Sequence, residues 1–186
     1  MESLDRSKLG LVQIYWGNGK GKTTSALGTA IRAAGNGFSL KLIQFMKNGA
    51  NSLEQQIPGE ILALQKFPNF SCERFGVGNW YIRGKNDEEH KEKVLDALKC
   101  IKEAFKNDAV DIIIADEILY AVQLGLLEEK KVIELIKEKP LSKELILTGS
   151  HVAFPRIFEY ADLVTEIKKI KHPYDKGVLA RKGIDY

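Results

Sequence analysis

The residues best suited to chemistry lie in one glycine-rich stretch near the start of the chain, YWGNGKGKTTSALG at 15–28. Backbone N–H groups wrapped around such a turn form a concave anion site, a lysine ammonium can bind between phosphates, and a threonine hydroxyl can bind Mg²⁺. The stretch therefore predicts a phosphate-binding loop that opens into a helix. The residues expected to hold a nucleotide there are Gly17, Asn18, Gly19, Lys20, Gly21, Lys22, Thr23 and Thr24.

The loop is one residue shorter than the usual pattern G-x-x-x-x-G-K-[ST]. That pattern requires a glycine five places before Gly21, where this chain has Trp16, and the nearest glycine is Gly17. A structural tight turn is the alternative, but GKTT between a strand and a helix favours phosphate binding. The short loop is either a damaged nucleotide site or one that holds the nucleotide for a different chemistry.

A second group of candidates, Asp116 and Glu117, follows the apolar run IIIA. A carboxylate at the end of a strand can hold Mg²⁺, and the metal then offsets phosphate charge. The alternative for Asp116 is a helix N-cap, where aspartate is favoured. Glu117 is also a candidate general base, the role of the carboxylate after the metal aspartate in many ATPases.

No other side chain is an obvious base for activating water or a hydroxyl. His90 lies among charges on a predicted helix and is expected to face solvent, whereas His151 and His172 lie in predicted loops that can approach the site. Cys72 and Cys100 lack the C-x-x-C spacing, so we expect two reduced, partly buried thiols rather than a zinc or redox pair.

The elements that must position these residues alternate between strands and helices, which predicts an α/β sandwich with a mainly parallel sheet and helices on both faces. In such sheets ligands bind beyond the carboxyl ends of the strands, where Gly17 and Asp116 both fall. The predicted strands are 9–16, 38–46, 70–75, 110–115, 144–148 and 163–167. The predicted helices are 23–34, 87–107, 119–127 and 129–139, with a helix or strand near 61–64.

Composition limits the class of protein. With 186 residues, 44% of them hydrophobic, the chain fits a single domain over 1–186, with a functional tail from about 168 to 186. A net charge of +3 gives no reason to expect nucleic acid, and the chain has neither a signal-peptide core nor an apolar run of about 20 residues, so we expect a cytoplasmic protein with no membrane partner. Six basic residues between 168 and 182 form either a solvated segment or a flap that faces an anion.

Four blocks in the same order carry a resemblance to a known family. They are GNGKGKTTSALGTAIRAAG at 17–35, ADEILYA at 115–121, LTGS at 147–150 and KHPYDKGVLARKGIDY at 171–186. Together they resemble the ATP:cob(I)alamin (corrinoid) adenosyltransferases of bacterial cobalamin biosynthesis. The resemblance runs from about Gly10 to the last residue.

The resemblance implies a RecA-like phosphate-loop fold that binds ATP in reversed orientation, with the ribose C5′ facing the second substrate. In that family a reduced Co(I) corrinoid attacks C5′, inorganic triphosphate leaves, and a cobalt–carbon bond forms. A shortened loop then belongs to a site that binds a leaving group. Because Co(I) is itself a strong nucleophile, the chain needs no dedicated base and must mainly align the substrates and stabilise the departing charge.

By resemblance, Lys22 and Thr23 act on the triphosphate, and Asp116 or Glu117 completes a magnesium shell with Thr23, with Glu117 favoured as the direct ligand. A Gly-aromatic-x-Trp segment of the family presses on the lower face of the corrin. Here RFGVGNWYIRG at 74–84 places Trp80 at that position, but Val77 stands near the other aromatic, for which Phe75 or Tyr81 is the substitute.

Two departures from the family concern how the substrate is enclosed. About nine residues precede the first predicted strand where the family carries a capping helix, and NGANSLEQQ at 48–56 replaces an acidic-Arg-Asn signature. They imply a less enclosed substrate or a different preferred corrinoid. The resemblance implies cob(I)alamin or cobyrinic acid a,c-diamide as the corrinoid, and a second copy of the chain and a flavoprotein reductant as partners.

Three other hypotheses stay open at this point. A RecA-like hydrolytic ATPase would use Glu117 as its base, and a non-catalytic nucleotide-binding module would bind ATP without turnover. A nucleoside kinase is the third, although two cysteines do not suffice for the four-cysteine zinc site that some of these kinases carry.

Overall fold

The structure is a computed structural model that describes residues 4–47, 57–78 and 81–185. At its centre is a six-stranded sheet in the order β3-β2-β4-β5-β1-β6, and every pair of neighbouring strands is parallel. The strands are β1 (Val12–Trp16), β2 (Leu40–Phe45), β3 (Phe70–Phe75), β4 (Ile112–Asp116), β5 (Glu144–Thr148) and β6 (Leu163–Glu166). The predicted α/β class is confirmed.

Helices cover both faces of the sheet. They are α1 (Lys22–Gly35), α2 (Gly59–Leu64), α3 (Asp87–Lys106), α4 (Ile118–Gln123), α5 (Glu129–Glu138) and α6 (Pro155–Phe158), with 3₁₀ turns at Arg6–Lys8 and Pro173–Lys176. One apolar core lies between the sheet and α3, α4 and α5, and the other between the sheet and α1 and α2. The buried residues Ile113 and Ile114 point into opposite cores, as alternation along a strand requires. No helix within the described ranges is long and apolar enough to span a membrane.

Several predicted boundaries differ from the observed ones because glycines interrupt the backbone. The first strand begins at Val12 rather than at 9, since Gly10 has a φ of 127° and lies against the Leu141 carbonyl. The helix predicted to run to 127 ends at Gln123, because Gly125 has a φ of 77°. The region near 61–64 is helical, and β3 and β5 have the predicted bounds. Neither α6 nor the two 3₁₀ turns was predicted.

The strand order places one strand between the two groups of candidate residues. β5 pairs with β1, which leads into the loop, and with β4, which ends at Asp116. Because all strands are parallel, the carboxyl ends of β1, β5, β4 and β2 share one edge of the sheet. The loop, the carboxylates and the end of β5 are therefore brought together, although they are far apart in sequence.

Candidate active site

The loop after β1 turns sharply at two glycines. Gly17 has a φ of 117° and Gly21 a φ of 126°, values that side-chain-bearing residues rarely adopt. Gly17 is also crowded, because a Cβ built on it would lie 2.4 Å from the Ile167 carbonyl oxygen. Gly19 has the same neighbour at 2.8 Å. The glycines thus allow both the bend of the loop and the close approach of the chain that follows β6.

The amides of the loop divide into two sets. The Gly17 amide donates to the Ser150 carbonyl (3.0 Å) and the Gly19 amide to the Ile167 carbonyl (2.8 Å), so both are occupied by the fold itself. The amide of Ser25 donates to Gly21 and begins the bonding of α1 (2.8 Å). The amides of 22–24 precede that bond and lie at the positive end of the helix, where an anion binds most favourably.

The Lys22 side chain bonds to two carbonyl groups of its own loop. Its Nζ donates to the Gly17 carbonyl (2.7 Å) and to the Gly19 carbonyl (3.1 Å). Burial lowers the pKa of the Lys22 ammonium, while the negative charges of Glu117 and Asp116 oppose that effect. An anion at the helix end would therefore meet a partly desolvated cation, whose attraction is stronger than that of an exposed lysine.

Lys20 points to a different partner, although it lies in the same loop. Its Nζ donates to the Ile184 carbonyl (2.9 Å) and pairs with the carboxylate of Asp185. Next to it, the Asn18 side chain accepts a hydrogen bond from the Lys169 amide (2.9 Å). Both predicted loop residues thus contact the C-terminal tail in this structure.

The tail reaches the loop mainly through its main chain rather than through its basic side chains. Lys168 pairs with Glu166 (3.2 Å) and Lys169 with Asp175 (3.0 Å), and these four side chains are at least 39% exposed. Salt bridges with this exposure contribute little to stability.

Asp116, the last residue of β4, is fully buried and is the centre of a hydrogen-bond cluster. Its Oδ1 accepts from Thr23 Oγ1 (2.8 Å) and Thr148 Oγ1 (2.7 Å), and its Oδ2 accepts from Gln44 Nε2 (2.9 Å). Three side-chain donors thus satisfy both oxygens of a carboxylate that is shielded from water. Asp116 is not the N-cap of α4, because Glu117 occupies that position.

Glu117 has a left-handed backbone, with φ 65° and ψ 14°, and its amide donates to Thr148 Oγ1 (3.0 Å). A non-glycine residue at such a φ is held there by its surroundings. Burial raises the pKa of the Glu117 carboxyl, while Lys47 lowers it, with a nitrogen-to-oxygen distance of 3.8 Å. The Glu117 carboxylate therefore has a cationic partner and lies beside the Asp116 cluster.

The residues at this edge of the sheet fit a divalent cation. Thr23 and Asp116 bring a hydroxyl and a carboxylate oxygen within 2.8 Å of each other, and both are hard oxygen donors. Gln44 Oε1 is a buried oxygen that has no hydrogen-bond partner among the described residues. Those residues contain no group of three or more His, Cys, Asp or Glu side chains able to hold a metal ion. A cation here would thus share its shell with phosphate oxygens.

Similar proteins identify the family of this chain. The profile of the family described as ATP:corrinoid adenosyltransferase BtuR/CobO/CobP matches residues 8–186, which includes the loop, the end of β4 and the tail. The chain belongs to this family. The corrinoid adenosyltransferase of Pseudomonas aeruginosa is 31% identical over 183 residues, covering 97% of this chain and 86% of the relative. That of Escherichia coli K12 is 31% identical over 181 residues, covering 95% and 86%.

A solved structure agrees with the fold at low sequence identity. The cytoplasmic domain of EssC superimposes with a TM-score of 0.50 and 18% identity, covering 95% of this chain. This chain spans 34% of the length of that structure, so the likeness concerns the α/β fold alone.

Three residues of the candidate site were not found from the sequence, namely Gln44, Lys47 and Thr148. Two of them had a signal. Gln44 is a polar residue inside the apolar strand LKLIQF, and Thr148 ends the buried strand ELILT. A polar side chain at the carboxyl end of a buried strand needs a hydrogen-bond partner, and here Gln44 and Thr148 both donate to Asp116. Lys47 gave no comparable signal.

The predicted corrinoid segment is described only in part. Trp80 lies outside the described residues. Val77 is buried, and Phe75 and Tyr81 are partly buried against the core next to α3. Tyr81 donates a long hydrogen bond to the Leu124 carbonyl (3.4 Å). Which aromatic side chain would accompany Trp80 therefore stays a prediction.

One prediction about the histidines is wrong. His90 is buried, with 3% of its surface exposed, and its ring meets the edge of the Tyr81 ring at 5.3 Å. The charges around His90 predicted that this side of α3 faces solvent. Instead, Tyr81, which precedes α3, covers it. His151 follows the end of β5, and its ring centroid lies 5.7 Å from that of Tyr120 in α4. Cys72 and Cys100 are free thiols, partly and fully buried, as predicted.

Proposed function

We propose that the chain transfers the 5′-deoxyadenosyl group of ATP to the Co(I) of a reduced corrinoid and releases inorganic triphosphate. The observation that carries this proposal is the family match over 8–186, which includes every described residue of the loop and of the Asp116 cluster. In the transfer, the electron pair of Co(I) forms the bond to C5′. The C5′–oxygen bond breaks, and its electron pair leaves with the triphosphate.

The residues of the loop are suited to a leaving group that carries several negative charges. The Lys22 ammonium lies against the loop carbonyls, and the amides of 22–24 lie at the N-terminal end of α1, which begins at Lys22. Cations and oriented amides that are already in position stabilise the charge that develops as the C5′–oxygen bond breaks. Lys22, Thr23 and the helix end would therefore lower the barrier by stabilising triphosphate, with no proton transfer.

Glu117 supports the proposal through its surroundings. A general base for hydrolysis must be free to accept a proton from water. Here Glu117 pairs with Lys47 at 3.8 Å and its backbone is fixed by Thr148, an arrangement suited to organising charge. The proposed roles are therefore charge stabilisation for Lys22, and positioning of the phosphates through Mg²⁺ for Thr23 and Glu117.

Mg²⁺ belongs to the same proposal. Thr23 and Asp116 would hold it together with phosphate oxygens, and Glu117 is the further candidate ligand. When bound, the cation would offset part of the triphosphate charge. The present contacts favour Asp116 over Glu117 as the carboxylate nearest to Thr23, since Asp116 is 2.8 Å from the hydroxyl and Glu117 is paired with Lys47.

The corrinoid is proposed to be cob(I)alamin or cobyrinic acid a,c-diamide, with Trp80 against its lower face and a flavoprotein as the source of electrons. The homodimer implied by the family and the reversed orientation of ATP are parts of the same hypothesis. A cytoplasmic location agrees with the two free thiols, which persist in reducing compartments.

The test is an anaerobic reaction of the purified protein with Mg-ATP and chemically reduced cob(I)alamin. We expect a light-sensitive cobalt–carbon product in the visible spectrum and an equal amount of inorganic triphosphate. Lys22→Met is the control, and its transfer rate should fall by about a hundredfold or more. Conversion of ATP to ADP and orthophosphate, with the corrinoid unchanged, would instead identify a RecA-like ATPase.

A further inference from the structure

Arg74, near the end of β3, differs from every other arginine of the chain. The other arginines are all exposed to solvent, whereas Arg74 is partly buried. Its Nε is shielded from water and has no hydrogen-bond partner among the described residues. A buried donor on a permanently charged group is costly when it stays unpaired. Arg74 is therefore suited to a partner that the described part of the chain does not supply.

The neighbours of Arg74 on the sheet do not neutralise its charge. Glu73 points to the opposite face of β3, where its carboxylate pairs with Lys41 at 2.5 Å. On the face of Arg74 itself, its Cα partner Gln44 donates to Asp116. No hydrogen bond joins Gln44 Oε1 to Arg74 Nε, although both atoms are buried and unpaired among the described residues. The guanidinium is therefore not part of the Asp116 cluster.

Arg74 stands at one end of a row of polar residues along the carboxyl edge of the sheet. The strand order β3-β2-β4-β5 gives this row as Arg74, Gln44, Asp116 and Thr148, and the register pairs Gln44 with both Arg74 and Asp116. Neighbouring strands are about 4.8 Å apart, so the Cα atoms of Arg74 and Asp116 are separated by roughly 10 Å. Arg74 is thus a separate cation, two strands away from the candidate magnesium site.

The charge of Arg74 acts on the face of the sheet that carries α1. Burial raises the pKa of the Cys72 thiol to about 11, and the positive charge of Arg74 partly opposes that effect, whereas Asp116 adds to it. Cys72 precedes Arg74 by two residues, and its side chain packs on the core next to α1 and α2. Because α1 begins at Lys22, Arg74 faces the same side of the sheet as the phosphate-binding loop.

A guanidinium binds a carboxylate or a phosphate through two parallel N–H···O bonds, and both substrates of the proposed reaction can carry such groups. The triphosphate already has Lys22, the amides of 22–24 and a cation at Asp116, all on the loop side of Arg74. The corrinoid must approach C5′ from the side opposite to the triphosphate, because its Co(I) electron pair displaces that group. Arg74 also precedes Trp80, which is proposed to contact the corrin, by six residues. A carboxylate on the corrinoid is therefore the anion that suits Arg74.

We propose that Arg74 binds a peripheral carboxylate of the corrinoid and thereby determines which corrinoid the chain prefers. Cobyrinic acid a,c-diamide carries amides at positions a and c and carboxylates at the other peripheral positions, which are amides in cobalamin. An amide accepts a hydrogen bond from the guanidinium but brings no charge to it, so its bond is weaker. The chain therefore prefers cobyrinic acid a,c-diamide. This inference rests on the proposed function and adds the choice of corrinoid to it.

The test measures equilibrium binding of the two corrinoids in their Co(II) state, anaerobically and with Mg-ATP, so that no adenosyl transfer occurs. The wild-type protein should bind cobyrinic acid a,c-diamide about tenfold more tightly than cobalamin. Arg74→Gln should abolish this preference by weakening the binding of cobyrinic acid a,c-diamide alone. Arg74→Lys keeps the charge without the planar fork and should retain part of the preference. Arg83→Gln, which removes an exposed arginine of the same segment, is the matched control and should bind both corrinoids like wild type.

Binding of inorganic triphosphate with Mg²⁺ should be the same in wild type and Arg74→Gln, which also shows that the variant folds. A loss of triphosphate affinity in Arg74→Gln, with both corrinoids bound as in wild type, would assign Arg74 to the phosphates instead. Equal wild-type affinity for both corrinoids, or an equal loss of both in Arg74→Gln, would show that Arg74 recognises no carboxylate and pairs only with water. These results overturn the inference alone, whereas a wild-type protein that binds neither corrinoid would overturn the proposed function with it.

Discussion

The two sides of the phosphate-binding loop are held in different ways. On the side of β5 and β4, buried side chains converge on one carboxylate, and Thr23, Gln44 and Thr148 all donate to Asp116 within 2.9 Å. On the other side, the tail meets the loop through the Ile167 carbonyl and an exposed ion pair between Lys20 and Asp185. We call these the sheet flank and the tail flank.

The difference concerns how much each flank can contribute to chemistry. Charges and hydrogen bonds in a buried cluster are poorly screened and cannot be replaced by water. An ion pair at the surface is screened and contributes little. The comparison therefore predicts that catalysis depends strongly on the sheet flank, that the fold depends on the backbone contact at the tail flank, and that the surface ion pair there has a small effect.

The largest effect is expected for Asp116→Asn. The amide keeps the shape of the side chain but removes the charge and places an NH₂ group against hydroxyl donors. We expect the kcat/KM of adenosyl transfer to fall by about a hundredfold, together with a weaker response to Mg²⁺. Steady-state kinetics over a range of Mg²⁺ concentrations measures both.

Asp111→Asn is the matched control, because Asp111 is also buried and hydrogen-bonded but lies at the opposite end of β4. It accepts from Arg6 Nε (2.7 Å) and from the Ser39 amide (2.9 Å). This variant should lose stability without losing transfer in the fraction that remains folded. Equal loss of transfer in both variants would mean that the Asp116 cluster serves stability alone.

A smaller effect, on stability, is expected for Gly17→Ala at the tail flank. Gly17 and Gly21 both have φ values above 110°, so alanine is strained at either position. Only Gly17 has a neighbour within 4 Å of the added methyl group, the backbone of Ile167. We expect Gly17→Ala to lower the free energy of unfolding by about 1–3 kcal/mol more than Gly21→Ala, since the Ile167 backbone must move.

Urea unfolding of the two variants gives this difference directly. If both variants lose the same stability, the Ile167 backbone does not pack against Gly17 as closely as in the structure. The tail flank would then pack only loosely on the loop, and the two flanks would differ in packing even more than proposed.

The fold and the site were predictable from the sequence to different degrees. Strands 70–75 and 144–148 have the predicted bounds, because short apolar runs between turn residues are strong local signals. The loop, Asp116 and Glu117 were also found locally. The tail contacts were not, because the partners of Lys20 and Asn18 lie more than 150 residues away in sequence. His90 was misplaced for a different reason, since the Tyr81 ring that lies against it precedes α3 and is not part of the helical pattern of charges.

The smallest effect is expected for Asp185→Asn. Lys20 and Arg181 both pair with Asp185 and hold its pKa below the usual range, yet the carboxylate is in an exposed tail. Without this charge Lys20 retains the Ile184 carbonyl, so the tail stays near the loop but is held less firmly. We expect the KM for ATP to rise by about twofold with kcat unchanged. Asp175→Asn, which breaks a pair with Lys169 inside the tail, should have no effect.

Salt separates this ion-pair effect from a structural one. At 1 M salt the screening length falls to about 3 Å, so wild type and Asp185→Asn should have the same KM for ATP. A tenfold rise in the KM for ATP of Asp185→Asn that persists at high salt would contradict the comparison. The tail flank would then contribute to ATP binding far more than a surface ion pair can. In that case Lys20 and Asp185 would belong to the groups that position the triphosphate, and the tail flank would take part in the chemistry.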